Sequence, residues 1–199
     1  MPATRNDGSA VNQDPWGGLS FNLPGEQARE PIVEQVDMIG QFLRLSATIS
    51  LGRFERLSDY VNLTEGFIEV GEAAILTRSG EQTNVVLPEL SLRRDEMTLI
   101  GEVRSATESD RSGHGMYIPK VARPLIFVTR GHVVRGDFHL PPGGSVQSFA
   151  EASDPRFVPV SNVHIRSLYD RRVISHYAFA LLNRSQLVAV GDSESLERI

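Results

Sequence analysis

Five histidines and an arginine-rich stretch flanked by tyrosines are the residues in this 199-residue chain whose types could do chemistry. His132, His139, His164 and His176 lie in the second half, and His114 lies just upstream. A zinc ion needs three or four donors within about 2.1 Å. Strand alternation places His139 on one face with Arg135 and Asp137, and His164 sits two residues from Arg166. That pattern predicts scattered surface imidazoles, with no metal and no cofactor. Cysteine is absent, which excludes disulfides, zinc–thiolate sites and thiol catalysis. The chain contains no nucleophile elbow, phosphate-binding loop, dinucleotide fingerprint or zinc-protease helix motif. Its many carboxylates read as a solvated or partner-facing surface rather than an acid–base pair. No catalytic residue is assigned, and the expectation is that the protein is not an enzyme.

Arginine supplies nineteen of the twenty basic residues, Lys120 being the exception. Guanidinium forks grip phosphates, and aromatic rings stack on bases. Tyr169, Arg171, Arg172 and Tyr177, with Arg184 in the final turn, are therefore the candidate nucleic-acid-binding set. The overall charge of −5 opposes polyanion binding, but it is unevenly spread. Residues 31–103 hold six Arg and twelve acidic residues, a net of −6, whereas residues 124–192 hold seven Arg and five acidic residues, a net of +2.

Residues 1–30 carry Pro2, Pro15 and Pro24, several glycines and no periodicity, the composition of an extended arm. This arm holds Trp16, the sole Trp, together with Leu19, Phe21 and Leu23. Large apolar side chains in a polar arm are suited to docking on a partner, so these four are the candidate partner-binding residues.

From Pro31 onward the apolar spacing is that of strands. Leu45, Ala47, Ile49 and Leu51 alternate with polar residues, and a polar turn segment covers 56–62. Strand-like runs follow at 67–70, 73–76, 85–92 and 97–103. Residues 104–123 read as a linker. Strands resume at 125–129 and 133–140, a loop covers 141–144, and further runs fall at 157–160, 163–168, 173–182 and 187–190.

The two halves repeat. At a constant offset of 90, Phe67, Val70, Ile75, Leu92, Arg94 and Gly101 meet Phe157, Val160, Ile165, Leu182, Arg184 and Gly191. Further upstream, with insertions, Pro31 is matched with Pro124, and Gly136-Asp137-Phe138 with Gly40-Gln41-Phe42 or, as a rival, with Gly52-Arg53-Phe54. The predicted organisation is an N-terminal arm (1–30), a first repeat (31–103), a linker (104–123), a second repeat (124–193) and a tail (194–199).

Five strands per copy, with a very short turn before the last, suit a small barrel. The run Ala180-Leu181-Leu182-Asn183-Arg184-Ser185-Gln186-Leu187-Val188-Ala189-Val190 resembles the last two strands and intervening turn of Sm-like barrels. Asp59-Tyr60-Val61-Asn62 resembles their Asp/Asn loop. The segment R-L-S-D-x-x-N before F-I-x-V is similar to bacterial domains of the same general type. This resemblance implies a mainly β chain of two tandem SH3/Sm-like barrels. In that family RNA binds through the Asp/Asn loop and an Arg-Gly turn; here Arg94 precedes Asp95 and Arg184 precedes Ser185. The function expected is therefore that of a cytoplasmic, non-enzymatic accessory or scaffolding subunit. It would bind a protein partner or multi-subunit complex, the cytoplasmic face of a membrane complex included, through its arm and barrel surfaces. A nucleic-acid-binding regulator is the alternative. No run approaches the roughly 18 apolar residues of a membrane span, and no secretory signal is evident.

Overall fold

The computed structural model describes residues 30–77, 80–103, 121–140, 142–169 and 173–192. The first half comprises β1 (Val33–Gly40), β2 (Arg44–Ser50), helix α1 (Leu57–Leu63), β3 (Phe67–Leu76), β4 (Gln82–Arg93), a 3₁₀ turn (Arg94–Glu96) and β5 (Met97–Glu102). The second repeats the order as β6 (Val121–Thr129), β7 (His132–Leu140), helix α2 (Val146–Glu151), β8 (Phe157–Ser167), β9 (Val173–Asn183), a 3₁₀ turn (Arg184–Gln186) and β10 (Leu187–Asp192).

The fold is mainly β, as expected from the alternating apolar residues. All ten strands join in one antiparallel sheet, ordered β10-β6-β7-β8-β9-β5-β1-β2-β3-β4. Strand pairing leaves this sheet open, with β10 and β4 at its edges, instead of closing it into two separate barrels. The halves meet where β5 pairs with β9, through Leu99↔Leu182, Ile100↔Leu181 and Gly101↔Ala180.

The 90-residue offset is visible in the backbone. Phe67↔Arg93 in the first half corresponds to Phe157↔Asn183 in the second. The two non-glycine residues at positive φ, Glu72 (50°) and Asn162 (51°), are also 90 apart, and each kinks its strand beside a register shift. The kink at Asn162 explains why the sequence pattern breaks at 161–162, although β8 is a single strand. Upstream of β3 the offset is 89: Leu45↔Ile75 matches Val134↔Ile165, and Thr48↔Gly71 matches Asp137↔Ser161. This corrects the upstream matching made from sequence. Gly40-Gln41-Phe42 spans the β1–β2 turn, whereas Gly136-Asp137-Phe138 lies inside β7. At Gly136 an added Cβ would meet the Val160 side chain at 2.5 Å, so packing rather than turn geometry requires this glycine.

The polar segment 56–62 also differs from its expected turn: it forms α1, burying Leu57 and Val61 four residues apart on one face. Helix α2, which the sequence pattern did not announce, starts at a capping box in which Ser145 and Ser148 satisfy each other's backbone N–H groups. Phe149 anchors it in the core. Arg94 and Arg184 perform the same task in the two halves. The Arg94 guanidinium donates to the carbonyls of Asn62 and Thr64 at the end of α1, and that of Arg184 to Ala152 (2.7 Å) and Asp154 (3.2 Å) after α2. Unsatisfied carbonyls at helix C-termini are natural acceptors for such a donor.

Two apolar clusters form the core, and each crosses the junction. The first contains Met38, Leu45 and Ile68 but also Phe157 and Leu181 from the second half. The second contains Phe127 and Val160 but also Ile39 and Leu99 from the first. Burying a side chain such as Phe157 contributes about 1.5–3 kcal/mol, so separating the halves would expose several such residues at once.

Gly101 and Gly191 allow a direct check on this arrangement. A Cβ on Gly101 would lie 2.6 Å from the Tyr177 ring, while one on Gly191 meets nothing within 4 Å. Gly101→Ala is expected to lower unfolding free energy by about 1–3 kcal/mol through overpacking. Gly191→Ala should leave it within about 0.5 kcal/mol, as for an unconstrained surface position. Urea denaturation of both variants tests this, and equal effects would contradict the described junction.

Candidate interaction surface

The junction shows what an edge of this sheet requires when it is covered. Asn183, wholly buried, donates from Nδ2 to the Met97 carbonyl (2.7 Å) and accepts from the Ser185 N–H (3.0 Å). Asn62 pairs with both backbone groups of Phe157, donating to its carbonyl (2.9 Å) and accepting from its N–H (2.8 Å). Arg156 forms an ion pair with Asp95, and Gln186 donates to the Asp95 carbonyl. Deeper in, Tyr177 donates to Asp37 (2.8 Å), and Arg44 reaches both Asp37 (3.7 Å) and the Ser175 hydroxyl (2.5 Å). Burial pushes the Tyr177 phenol well above its ordinary value of 10; the hydrogen bond with Ser175 acts in the opposite direction, and the Asp37 charge adds to the rise. It therefore remains a hydrogen-bond donor at physiological pH.

The outer edges offer the same types of backbone without a paired strand among the described residues. No described strand pairs with the outer side of β4 or of β10. Val85, Val86 and Leu87 on β4, Phe67 on β3 opposite Arg93, and Val188 on β10 are exposed large apolar residues. Soluble proteins ordinarily blunt or cover such edges, because unpaired N–H and C=O groups beside apolar side chains template strand addition.

The residues singled out from sequence have separate fates. Trp16, Leu19, Phe21 and Leu23 lie outside the described residues, as do Arg171 and Arg172. Tyr169 is exposed and donates to the Arg130 carbonyl (3.3 Å). Tyr177 is buried at the junction, and Arg184 is held by carbonyls with its guanidinium 4.5 Å above the Phe149 ring. The structure does not gather Tyr169, Tyr177 and Arg184 into one face. Asn62, the Asn of the Asp/Asn-like segment, serves as a bridge between halves.

A different cationic group is assembled on the second half. Arg135 pairs with His164 across β7 and β8, and His164 with His176 across β8 and β9. The two imidazoles lie 4.3 Å apart. His164, Arg135 and Arg166 border an open depression of about 680 Å³ that Asp137, Pro124, Ile126 and Val133 also line. This histidine pair was accessible to sequence reasoning: a hairpin folded symmetrically about residue 170 sets 164 opposite 176. His132 and His139 stand elsewhere, His139 bonded to Ser161 (3.0 Å), and among the described residues no three metal-ligating side chains converge. No helix among the described residues is long and apolar enough to cross a membrane.

Comparison with protein-family models, curated proteins and solved structures finds no match to this chain.

The His164 pKa is lowered from its ordinary 6.5, first by desolvation and then by the charges of His176, Arg135 and Arg166. The unfolded chain therefore binds this proton more tightly than the folded one, and stability is lost as pH falls from 6.5 through the lowered value. NMR titration should show His164 titrating below 6.5, with Arg166→Gln moving it upward. A His164 titration at or above 6.5 in the wild-type chain would contradict the cationic cluster.

Proposed function

We propose that this chain is a cytoplasmic, non-enzymatic accessory or scaffolding subunit that works by joining a larger protein assembly. The observation that carries this reading is the pair of uncovered sheet edges, which bear exposed apolar residues while the chemically equivalent edges inside the chain are sealed. Each half in this reading is an SH3/Sm-like barrel unit. The support is the order β5-β1-β2-β3-β4 repeated as β10-β6-β7-β8-β9, with a 3₁₀ turn before each last strand and a positive-φ kink in each third strand. Edge strands contribute main-chain hydrogen bonds to a partner, and alternate side chains set specificity. The arm residues Trp16, Leu19, Phe21 and Leu23 add an apolar anchor, and the acidic and basic halves orient the subunit on its partner.

The test is purification of the full chain from its native host beside two variants, Leu87→Glu and the triple Trp16→Ala/Leu19→Ala/Phe21→Ala, with mass spectrometry of bound proteins. A defined partner retained by wild type and lost, at least tenfold, from one or both variants is the expected result. A partner set identical for all three chains would refute the reading.

The guanidinium groups of Arg135 and Arg166, beside His164 on the open depression, favour a second reading, a nucleic-acid-binding regulator using the open face of the second half. Phosphate contacts of this kind release counterions, so the logarithm of affinity for single-stranded RNA should fall with the logarithm of salt at roughly −0.7 per contact. Arg135→Gln/Arg166→Gln should flatten that slope by about one to two. Absence of salt-dependent RNA binding by the wild-type chain removes this alternative.

A further inference from the structure

The internal repeat makes the uncovered edges a matched pair. At the junction, the fifth strand of one half (β5) pairs with the fourth strand of the other (β9). The two edges left over are the fourth strand of the first half (β4) and the fifth strand of the second (β10). The chain thus carries one donor edge and one acceptor edge of a junction that it already makes once within itself. Applying the 90-residue offset to the observed pairs gives the register of the missing one. Leu99↔Leu182, Ile100↔Leu181 and Gly101↔Ala180 become Ala189↔Leu92, Val190↔Ser91 and Gly191↔Leu90. These pairs are not made within the described chain, where β4 and β10 are the two ends of the open sheet.

We propose that the partner of these edges is a second copy of this chain, with β10 of one molecule adding to β4 of the next, head to tail, in that register. This deepens the assembly reading and rests on it by naming the occupant of the edges.

Residue environments agree with this. Phe157, on the β9 side of the junction, is 0% exposed and inserts into the core of the first half; its counterpart Phe67, beside the β4 edge, is 53% exposed. Thr98 on β5 is 2% exposed, and its counterpart Val188 on β10 is 66% exposed. Gly101 receives the Tyr177 ring, whereas Gly191 faces open space. The counterpart of Tyr177 is Leu87, an exposed apolar residue of a size to fill that space.

The polar contacts change together. At offsets of 89 and 90, the partly buried set Asp37, Arg44, Ser175 and Tyr177 maps onto Ile126, Val133, Val85 and Leu87. All four counterparts are apolar, so at these positions the second junction replaces a hydrogen-bonded cluster with an apolar one, beside Arg135, Asp137, His164 and Arg166 on the same depression. Ile126 and Val133 line the open depression on the second half, where Val85 and Leu87 of the next copy would arrive. Pro88, which has no N–H to donate, lies two residues beyond the last paired position and interrupts none of the predicted bonds. The acidic first half of one molecule would also face the basic second half of the next. A repeated head-to-tail contact yields a ring when its rotation closes and a filament when it does not.

The experiment uses the full-length chain and light scattering on gel filtration across a concentration series. Wild type should run as a multiple of 22.0 kDa. Leu87→Glu, which spoils only the β4 edge, and Gly191→Glu, which spoils only the β10 edge, should each be monomeric with unchanged melting temperature. An equimolar mixture of the two should form a dimer and nothing larger, since only one intact edge of each kind remains. As the chain has no cysteine, Ser91→Cys/Val190→Cys should give covalent multimers on mild oxidation, while either single substitution should not. A wild-type chain that is monomeric throughout, a Leu87→Glu chain that keeps its multimeric mass, or a mixture that stays monomeric would each overturn the proposal. Failure here is separable from failure of the assembly reading: a monomer that still needs Leu87 to retain a host protein keeps the latter and discards the former.

Discussion

The rest of the structure depends on one three-residue ladder. Where Leu99, Ile100 and Gly101 pair with Leu182, Leu181 and Ala180, two five-stranded units become one ten-stranded sheet. A ladder this short would be marginal alone, since each hydrogen bond contributes only about 0.5–1.5 kcal/mol net. It is secured by what crosses it. Phe157 and Leu181 enter the first core, Ile39 and Leu99 enter the second, and Asn62 and Asn183 complete backbone groups on the opposite half. The paired strands are therefore also the floor of both cores. Neither half can be moved without opening apolar surface in each.

The two repeated units differ in a way the junction explains. Positions that curve the strands or clamp the helices have kept their roles. Glu72 and Asn162 hold the same left-handed backbone, and Arg94 and Arg184 tie the same carbonyls. Positions at the covered edge have become polar where they meet one another, as in Tyr177 with Asp37 and Arg44 with Ser175. A buried hydrogen-bonded cluster adds little net stability but penalises a wrong register, because any slip leaves a charge or phenol without its partner. The same positions at the uncovered edges are apolar. Such side chains are indifferent to small shifts, and they gain from contact wherever it is made.

Much of this was legible in the sequence, and the illegible parts have physical causes. Alternation exposed the strands, and the offset of 90 between residues 67–101 and 157–191 holds in the strand register from Phe67↔Arg93 to Ala74↔Val86, which match Phe157↔Asn183 to His164↔His176. Upstream, the match of Gly40 with Gly136 misled because both glycines make room for a neighbour, the Glu96 carbonyl at Gly40 and the Val160 side chain at Gly136, and the sequence does not show which neighbour that is. Helix α1 was hidden because its seven residues, starting after Arg56, bury only Leu57 and Val61, too few for a 3.6-residue period to stand out. Arg184 looked free for phosphate in a turn. Its use as a helix clamp depends on α2, which lies some thirty residues away in sequence. Tyr177 likewise reads as a surface aromatic until Gly101 is placed beneath it.

The choice between an open sheet and closed barrels was beyond the sequence for a more basic reason. Alternating apolar residues specify which face of a strand is buried, but not which strand lies at its side. A fourth strand can curl back toward its own fifth or lie against that of a neighbour, and both satisfy the same pattern. In this chain the choice is made by residues outside the alternation. Gly101 admits the Tyr177 ring only if β9 lies beside β5, and Asn183 finds the Met97 carbonyl only in that arrangement. The pairing of strands is thus written in one glycine and one buried amide, and across the described sheet the first-half counterparts of Tyr177 and Asn183, Leu87 and Arg93, lie on an edge strand with no strand beyond it.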